Sequence, residues 1–342
     1  MIKRMNMNKT TLHIALTLCA AATLTGCARS SADTTADDNK EYFDAWRSIN
    51  YPDAQKKGLG IYILPDREVA GSGAAWNRNL PCSFVSYTIQ SLSGAVSYNS
   101  EEAMARQLGT YDKADYYGPQ VVLTGTGVSY AGLDELLDGM KVGGSRTAII
   151  PSWLMTTSRY DTEEEYIAHI GSASSAIYTI TLHGQTSDIK QWAYTTLQDY
   201  TRREWAVSDT TTTGVFFKSF TPEASEAVAS DSTVYVNYTG RRLDGQVFDT
   251  TIEKVAKDNN IYVSGKTYAP VPVVWNETAT EITLNGSTVV TTGFAEGLYQ
   301  MHQDEKAAFA FTYDKGYGTS GSGTRIPGYA SLIFEVELVP AP

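Results

Sequence analysis

The feature that most constrains this chain is that it repeats itself. Val85-Ser86-Tyr87-Thr88 returns as Val236-Asn237-Tyr238-Thr239, and Leu92, Gly94 and Val96 return as Leu243, Gly245 and Val247, at an offset of 151. Six of the twelve positions 85–96 are identical to their counterparts. Farther on, Gly132, Glu135, Leu137 and Met140 match Gly293, Glu296, Leu298 and Met301 at an offset of 161, and Ser175 to Leu182 matches Ser331 to Leu338 at 156. Gly60-Ile61-Tyr62 opens the first copy as Gly214-Val215-Phe216 opens the second. One block could match by chance. Four in a constant order, with offsets that drift as loops take insertions, mark one unit written twice.

Periodicity gives each copy the same coarse elements. Val234, Val236 and Tyr238 alternate with Tyr235 and Asn237, which predicts a strand. Leu332, Phe334, Val336 and Leu338 alternate with Ile333, Glu335 and Glu337, which predicts a second strand with its charges outward. Phe294, Leu298 and Met301, spaced by four and three, predict a short helix between them. Antiparallel strands with one buried face, crossed by a helix, make an α+β unit. Between the copies, Ser187 to Trp205 reads as a linker helix with Ile189, Trp192, Leu197 and Tyr200 on one side. Another helical pattern starts near Glu41, with Tyr42, Phe43, Trp46 and Ile49 as its apolar positions.

The N-terminal residues read as an address. Lys3, Arg4 and Lys9 precede an apolar run from Leu12 to Leu24, too short for a membrane span of about 20 residues. Leu24-Thr25-Gly26-Cys27 resembles a bacterial lipobox, which implies cleavage before Cys27 and lipid on that cysteine. Ala28 after it favours the outer membrane, by analogy with the enteric sorting rule. Cys19 would leave with the leader, so Cys82 would be the one free thiol and no intrachain disulfide could form. The segments expected are therefore a leader over 1–26, a flexible tether over 27–40, a first copy over 41–183, a linker helix over 184–213 and a second copy over 214–342. With 27 basic against 38 acidic residues, a net charge of −11, the chain lacks the basic footprint of a nucleic-acid binder. Its four histidines show no ligand spacing, so neither a metal nor a cofactor is expected.

The second copy resembles the FKBP-type peptidyl-prolyl cis-trans isomerases. The segments that carry the resemblance are Val-Asn-Tyr-Thr-Gly (236–240), Leu-Asp-Gly-Gln-Val-Phe-Asp (243–249), Gly-Phe-Ala-Glu-Gly-Leu (293–298), Gly-Tyr-Gly (316–318), Ile-Pro (326–327) and Leu-Ile-Phe-Glu-Val-Glu-Leu (332–338). The resemblance implies two tandem domains, each a bent antiparallel sheet of five or six strands wrapped on a short helix. It implies an apolar proline pocket lined by Tyr238, Phe248, Asp249, Val290, Phe294, Tyr317, Ile326 and Phe334. Thr291 would offer its backbone N–H to a substrate carbonyl and Tyr317 its hydroxyl to a second. Tyr238 and Asp249 would hydrogen-bond each other. The partners implied are proline-containing protein clients, the membrane through the lipid anchor, and macrolide ligands. The sequence departs from the family between Asp249 and Gly293, a long span containing Tyr268-Ala-Pro-Val-Pro-Val-Val-Trp275, and after Ile326-Pro327, where Gly328-Tyr329 follows.

In the first copy Tyr87 persists, but the Phe-Asp pair becomes Ser97-Tyr98, the floor position becomes Leu133 and the last aromatic becomes Tyr178. The core pattern survives there and the pocket pattern does not. Two functions follow: a lipid-anchored envelope isomerase acting through the second copy, or a non-catalytic lipoprotein that uses the same fold to hold clients or a partner.

Overall fold

The computed structural model describes residues 35–221, 226–278, 282–284, 287–288 and 291–340. The described residues divide into two units, one up to Trp46 and one from Arg47 onward. The described residues of the first belong to the helix Thr35–Asn50. Residues 35–40 are thus helical rather than part of a flexible tether. Cys27 and the leader lie outside the described residues. No helix among the described residues is long and apolar enough to cross a membrane.

The second unit holds two antiparallel sheets. The first is built from β1 (Gln55–Lys57), β2 (Ile61–Ile63), β3 (Cys82–Ser91), β4 (Val96–Asn99), β5 (Gln120–Leu123), β6 (Ser145–Ile150) and β7 (Ala176–Thr186). Its order is β1-β2-β6-β7-β3-β4, with β5 also on β3. The second is built from β8 (Phe216–Ser219), β9 (Ser232–Arg242), β10 (Val247–Thr250), β11 (Val271–Trp275), β12 (Thr283–Leu284), β13 (Ser287–Thr288), β14 (Lys306–Phe311) and β15 (Leu332–Val339). Its order is β13-β12-β11-β9-β15-β14-β8, with β10 also on β9. Without β1 and the β12–β13 hairpin, the two sheets have one topology. The register repeats as well: Ile89 lies opposite Tyr98 and Tyr178, and its counterpart Gly240 lies opposite Asp249 and Phe334.

The second sheet has more than the five or six strands implied by the resemblance, because the span after Asp249 supplies β11 to β13. That span has a partial twin in the first copy. Tyr111 stacks on Tyr117 with centroids 5.4 Å apart, as Tyr262 does on Tyr268 at 5.4 Å. In each loop the second tyrosine's hydroxyl accepts the N–H of the residue after the first, Asp112 at 3.1 Å and Val263 at 2.9 Å. β5 then pairs with β3 as β11 pairs with β9.

The helices Ala131–Leu137 and Thr292–Leu298 cover their sheets through exchanged volumes. A Cβ on Gly293 would lie 2.3 Å from Phe311, and one on its counterpart Gly132 would lie 2.2 Å from Ile150, so both helices approach the sheet through a glycine. One turn later the copies diverge. The second pairs Gly297 with Phe309, where a Cβ would again lie 2.3 Å from the ring. The first has Leu136 and Ala148 at those positions, both fully buried. A large group has moved from strand to helix while the layer stays filled.

On β15, Leu332, Phe334, Val336 and Leu338 are buried in the core under the helix Thr292–Leu298. Ile333 shares the opposite face with Glu335 and Glu337, yet it is 2% exposed. The helix Ile189–Trp205 covers it, packing Leu197 with Phe216, Ala310 and Ile333. The Asp188 side chain caps that helix by accepting the Gln191 N–H at 2.9 Å.

Candidate active site

The β9 alternation turns Tyr238 to the same face as Val234 and Val236, toward the helix. There its ring meets Phe294 at 5.6 Å and Phe334 at 6.1 Å between centroids. Phe334 is the centre of the group, 4.7 Å from Phe294 and 5.6 Å from Phe248, both edge to face. Such geometry sets the positive ring edge against the negative face of its neighbour. Ile326 is buried in the same cluster and Tyr317 packs against it half-buried. The structure therefore brings Tyr238, Phe248, Phe294, Tyr317, Ile326 and Phe334 together. Trp275 belongs to this core but stacks on Tyr299, at 5.9 Å.

Gly240, which closes the Val-Asn-Tyr-Thr-Gly motif without an assigned role, makes the cluster possible. Gly240 faces Phe334 across the sheet, and a Cβ there would lie 2.6 Å from Phe248 and 3.0 Å from Phe334. The first copy has Ile89 at this position. The same aromatic arrangement cannot form there, and Tyr87 stacks on Tyr98 instead, at 4.6 Å.

The polar rim is built on Asp249. Its Oδ2 accepts from Tyr238 Oη at 2.7 Å. Its Oδ1 accepts from Thr250 N–H at 2.9 Å and from Lys266 Nζ at 2.7 Å. Lys266 also went unnoticed in the sequence, since it sits in a loop seventeen residues on with no motif of its own; only the tyrosine pair shared with the first copy marks that loop as a built element. Burial pushes the Tyr238 phenol far above its ordinary range, and the Asp249 carboxylate pushes it further in the same direction. The Tyr317 phenol is raised by burial and then by Asp249. Both therefore keep their protons at neutral pH and can donate hydrogen bonds.

Thr291 is buried immediately before the helix Thr292–Leu298, and its N–H has no hydrogen-bond partner among the described residues. Val290 lies outside the described residues. A cavity of about 470 Å³ lies beside the aromatic cluster, not at it, lined among others by Phe84, Tyr116, Trp192, Arg242 and Tyr329. The cluster offers an apolar, ring-walled surface with a carboxylate–phenol rim. Nothing in it resembles a nucleophile with its base. It suits recognition and desolvation of an apolar ring flanked by carbonyls.

Residues 224–339 match the sequence profile of the family described as FKBP-type peptidyl-prolyl cis-trans isomerase. The chain is 36% identical over 107 residues to FK506-binding protein 1A of Aspergillus fumigatus, covering 31% of this chain and 74% of that protein. It is 29% identical over 130 residues to a probable FKBP-type peptidyl-prolyl cis-trans isomerase of Haemophilus influenzae, covering 38% of this chain and 44% of that protein. It thus spans less than half the length of the Haemophilus relative. The crystal structure of FkpA from Escherichia coli aligns at 24% identity over 45% of this chain and 64% of that one, with a TM-score of 0.30. The chain belongs to the FKBP-type peptidyl-prolyl cis-trans isomerase family.

Proposed function

We propose that the second copy catalyses cis-trans isomerisation of Xaa-Pro peptide bonds in protein clients. We propose further that the chain works in the bacterial envelope, held at the outer membrane by lipid on Cys27. The observation that carries the catalytic reading is the aromatic group Tyr238, Phe248, Phe294 and Phe334 bounded by the Tyr238–Asp249 hydrogen bond. The anchor rests on Leu24-Thr25-Gly26-Cys27 and the apolar run before it.

The chemistry needs no bond cleavage. The barrier of about 18–20 kcal/mol is the loss of amide resonance on twisting. Resonance separates charge, so the planar amide loses more solvation in an apolar site than the twisted one does. A site complementary to the twisted proline therefore lowers the barrier. Phe294, Phe334, Phe248 and Ile326 would supply the apolar walls. The Thr291 N–H and the Tyr317 hydroxyl would hold carbonyls on either side of the bond. The Tyr238–Asp249–Lys266 group would fix the rim. The Aspergillus relative is named for FK506 binding, and macrolides would compete with peptide for this surface.

The test is exchange spectroscopy on an Xaa-Pro peptide with the 342-residue chain. Expected is cis-trans exchange well above the uncatalysed process, which takes tens to hundreds of seconds, and inhibition by FK506. Peptide binding without accelerated exchange would replace this reading by that of a client-holding module.

A further inference from the structure

We infer that the loop 110–119 of the first copy positions the flap of the second copy's site, so that Asp115 and Tyr116 act on substrate capture from outside the site. The inference rests on the isomerase reading for its kinetic consequence only.

The flap runs from Tyr317 to Tyr329. It is bonded to itself by Ser322 N–H to Ile326 O at 2.8 Å and Ile326 N–H to Ser322 O at 3.2 Å. This pair closes a turn whose tip is Gly323, Thr324 and Arg325. Ile326, the next residue, is buried among Phe248, Phe294 and Phe334. Where the tip sits thus sets where Ile326 sits.

The first copy holds that tip. The Tyr116 N–H donates to Thr324 O at 2.9 Å, and Thr324 Oγ1 donates to the Asp115 carboxylate. Arg242 completes the clamp from β9, donating Nη1 to Arg325 O at 2.6 Å while its guanidinium lies 5.0 Å from the centre of the Tyr116 ring. Asp244 pairs with the same guanidinium at 2.9 Å. The loop is itself stiff. Tyr116 Oη donates to Pro119 O at 2.9 Å, Gly118 N–H donates to Ser100 O at 2.9 Å, and Ala114, with no exposed surface, packs with Val247, Ala256 and Ile261.

The duplication gives this contact its meaning. At the offset of 151, Asp115 corresponds to Lys266. In the second copy the loop reaches its own site, through Lys266 to Asp249. In the first copy the same loop, behind the same tyrosine stack, reaches the other copy's flap. The first copy has Ile89 where the aromatic cluster needs a glycine, and this loop keeps it coupled to the site of the second.

The test uses the full chain with Tyr116→Leu and Asp115→Ala combined, and Tyr116→Phe as the conservative variant. Loss of contacts of this kind makes the Ser322 and Ile326 amides exchange about fivefold faster or more, with the Tyr238 and Phe334 amides unchanged. KM for an Xaa-Pro peptide rises by a similar factor while kcat holds, because a less populated flap position reduces apparent affinity without altering the bound state. Tyr116→Phe keeps the ring over Arg242 and loses only the bond to Pro119 O, so its flap exchange and KM stay closer to those of the unsubstituted chain than to those of the double variant. Unchanged flap exchange in the double variant overturns the inference, as does a uniform acceleration across β9 and β15. If the unsubstituted chain proves inactive, the isomerase reading fails and flap exchange alone decides the brace.

Discussion

At Gly240 a single added methyl group would land 2.6 Å from Phe248 Cζ and 3.0 Å from Phe334 Cε1. Neither ring can retreat freely. Phe334 is held between Phe294 at 4.7 Å and Phe311 at 5.8 Å, and the Phe248 carbonyl accepts from Arg325. Gly240→Ala should therefore force the cluster apart. The expected cost is about 1–3 kcal/mol of stability, together with weaker peptide binding, measured by denaturant midpoint and peptide titration. An alanine variant of unchanged stability and affinity would mean that the rings have room the packing does not show. By the same argument, returning Phe-Asp at positions 97 and 98 alone should not restore the cluster in the first copy, since Ile89 would occupy the space that the rings need.

Between helix and sheet, the two copies solve one packing problem in opposite ways. Gly297 sits on Phe309, and the equivalent positions of the first copy hold Leu136 and Ala148, both buried, with the large group on the helix instead of the strand. Phe309→Ala alone should cost about 3–5 kcal/mol as a cavity, and Gly297→Leu alone should overpack. The double substitution should recover at least about 1 kcal/mol relative to the sum, because each change fills or vacates the other's space. Additive denaturation midpoints would refute this account of the layer. These elements also show what can be read from sequence. The strands of β9 and β15 and the helix Thr292–Leu298 were legible because alternation and four-three spacing report one buried face directly. The burial of Ile333 was not, because it depends on the helix Ile189–Trp205 laid across the second face. β5 was missed because Gln120–Leu123 is a four-residue strand that owes its place to pairing with β3. The aromatic members of the site were legible through the family resemblance. The role of Gly240, visible only as the end of a motif, and the part played by Lys266 were not, since one acts by the absence of a side chain and the other by a loop folding back.

Across the whole molecule, burial makes several phenols harder to ionise. It pushes Tyr116 and Tyr178 up to about 12 and raises Tyr87 and Tyr238 as well. In the unfolded chain these groups ionise near about pH 10. Their folded values are the higher ones, so their contribution is fully present below about pH 10 and is lost as pH rises toward about 12. Stability should fall over that window, with the tyrosinate absorbance of these groups rising together with unfolding. An early, non-cooperative rise accounting for every tyrosine would show that they are not shielded. The duplication and the site meet in one claim, that two copies of a fold share the chain while one holds the chemistry. The most direct measurement is Xaa-Pro exchange catalysed by the full chain after matched substitutions in each copy, Tyr238→Phe with Phe334→Ala in the second and Tyr87→Phe with Tyr178→Ala in the first. The account predicts loss of catalysis after the changes at Tyr238 and Phe334 and its retention, in a folded chain, after those at Tyr87 and Tyr178. Equal loss from both copies, or catalysis that survives the changes at Tyr238 and Phe334, would contradict it.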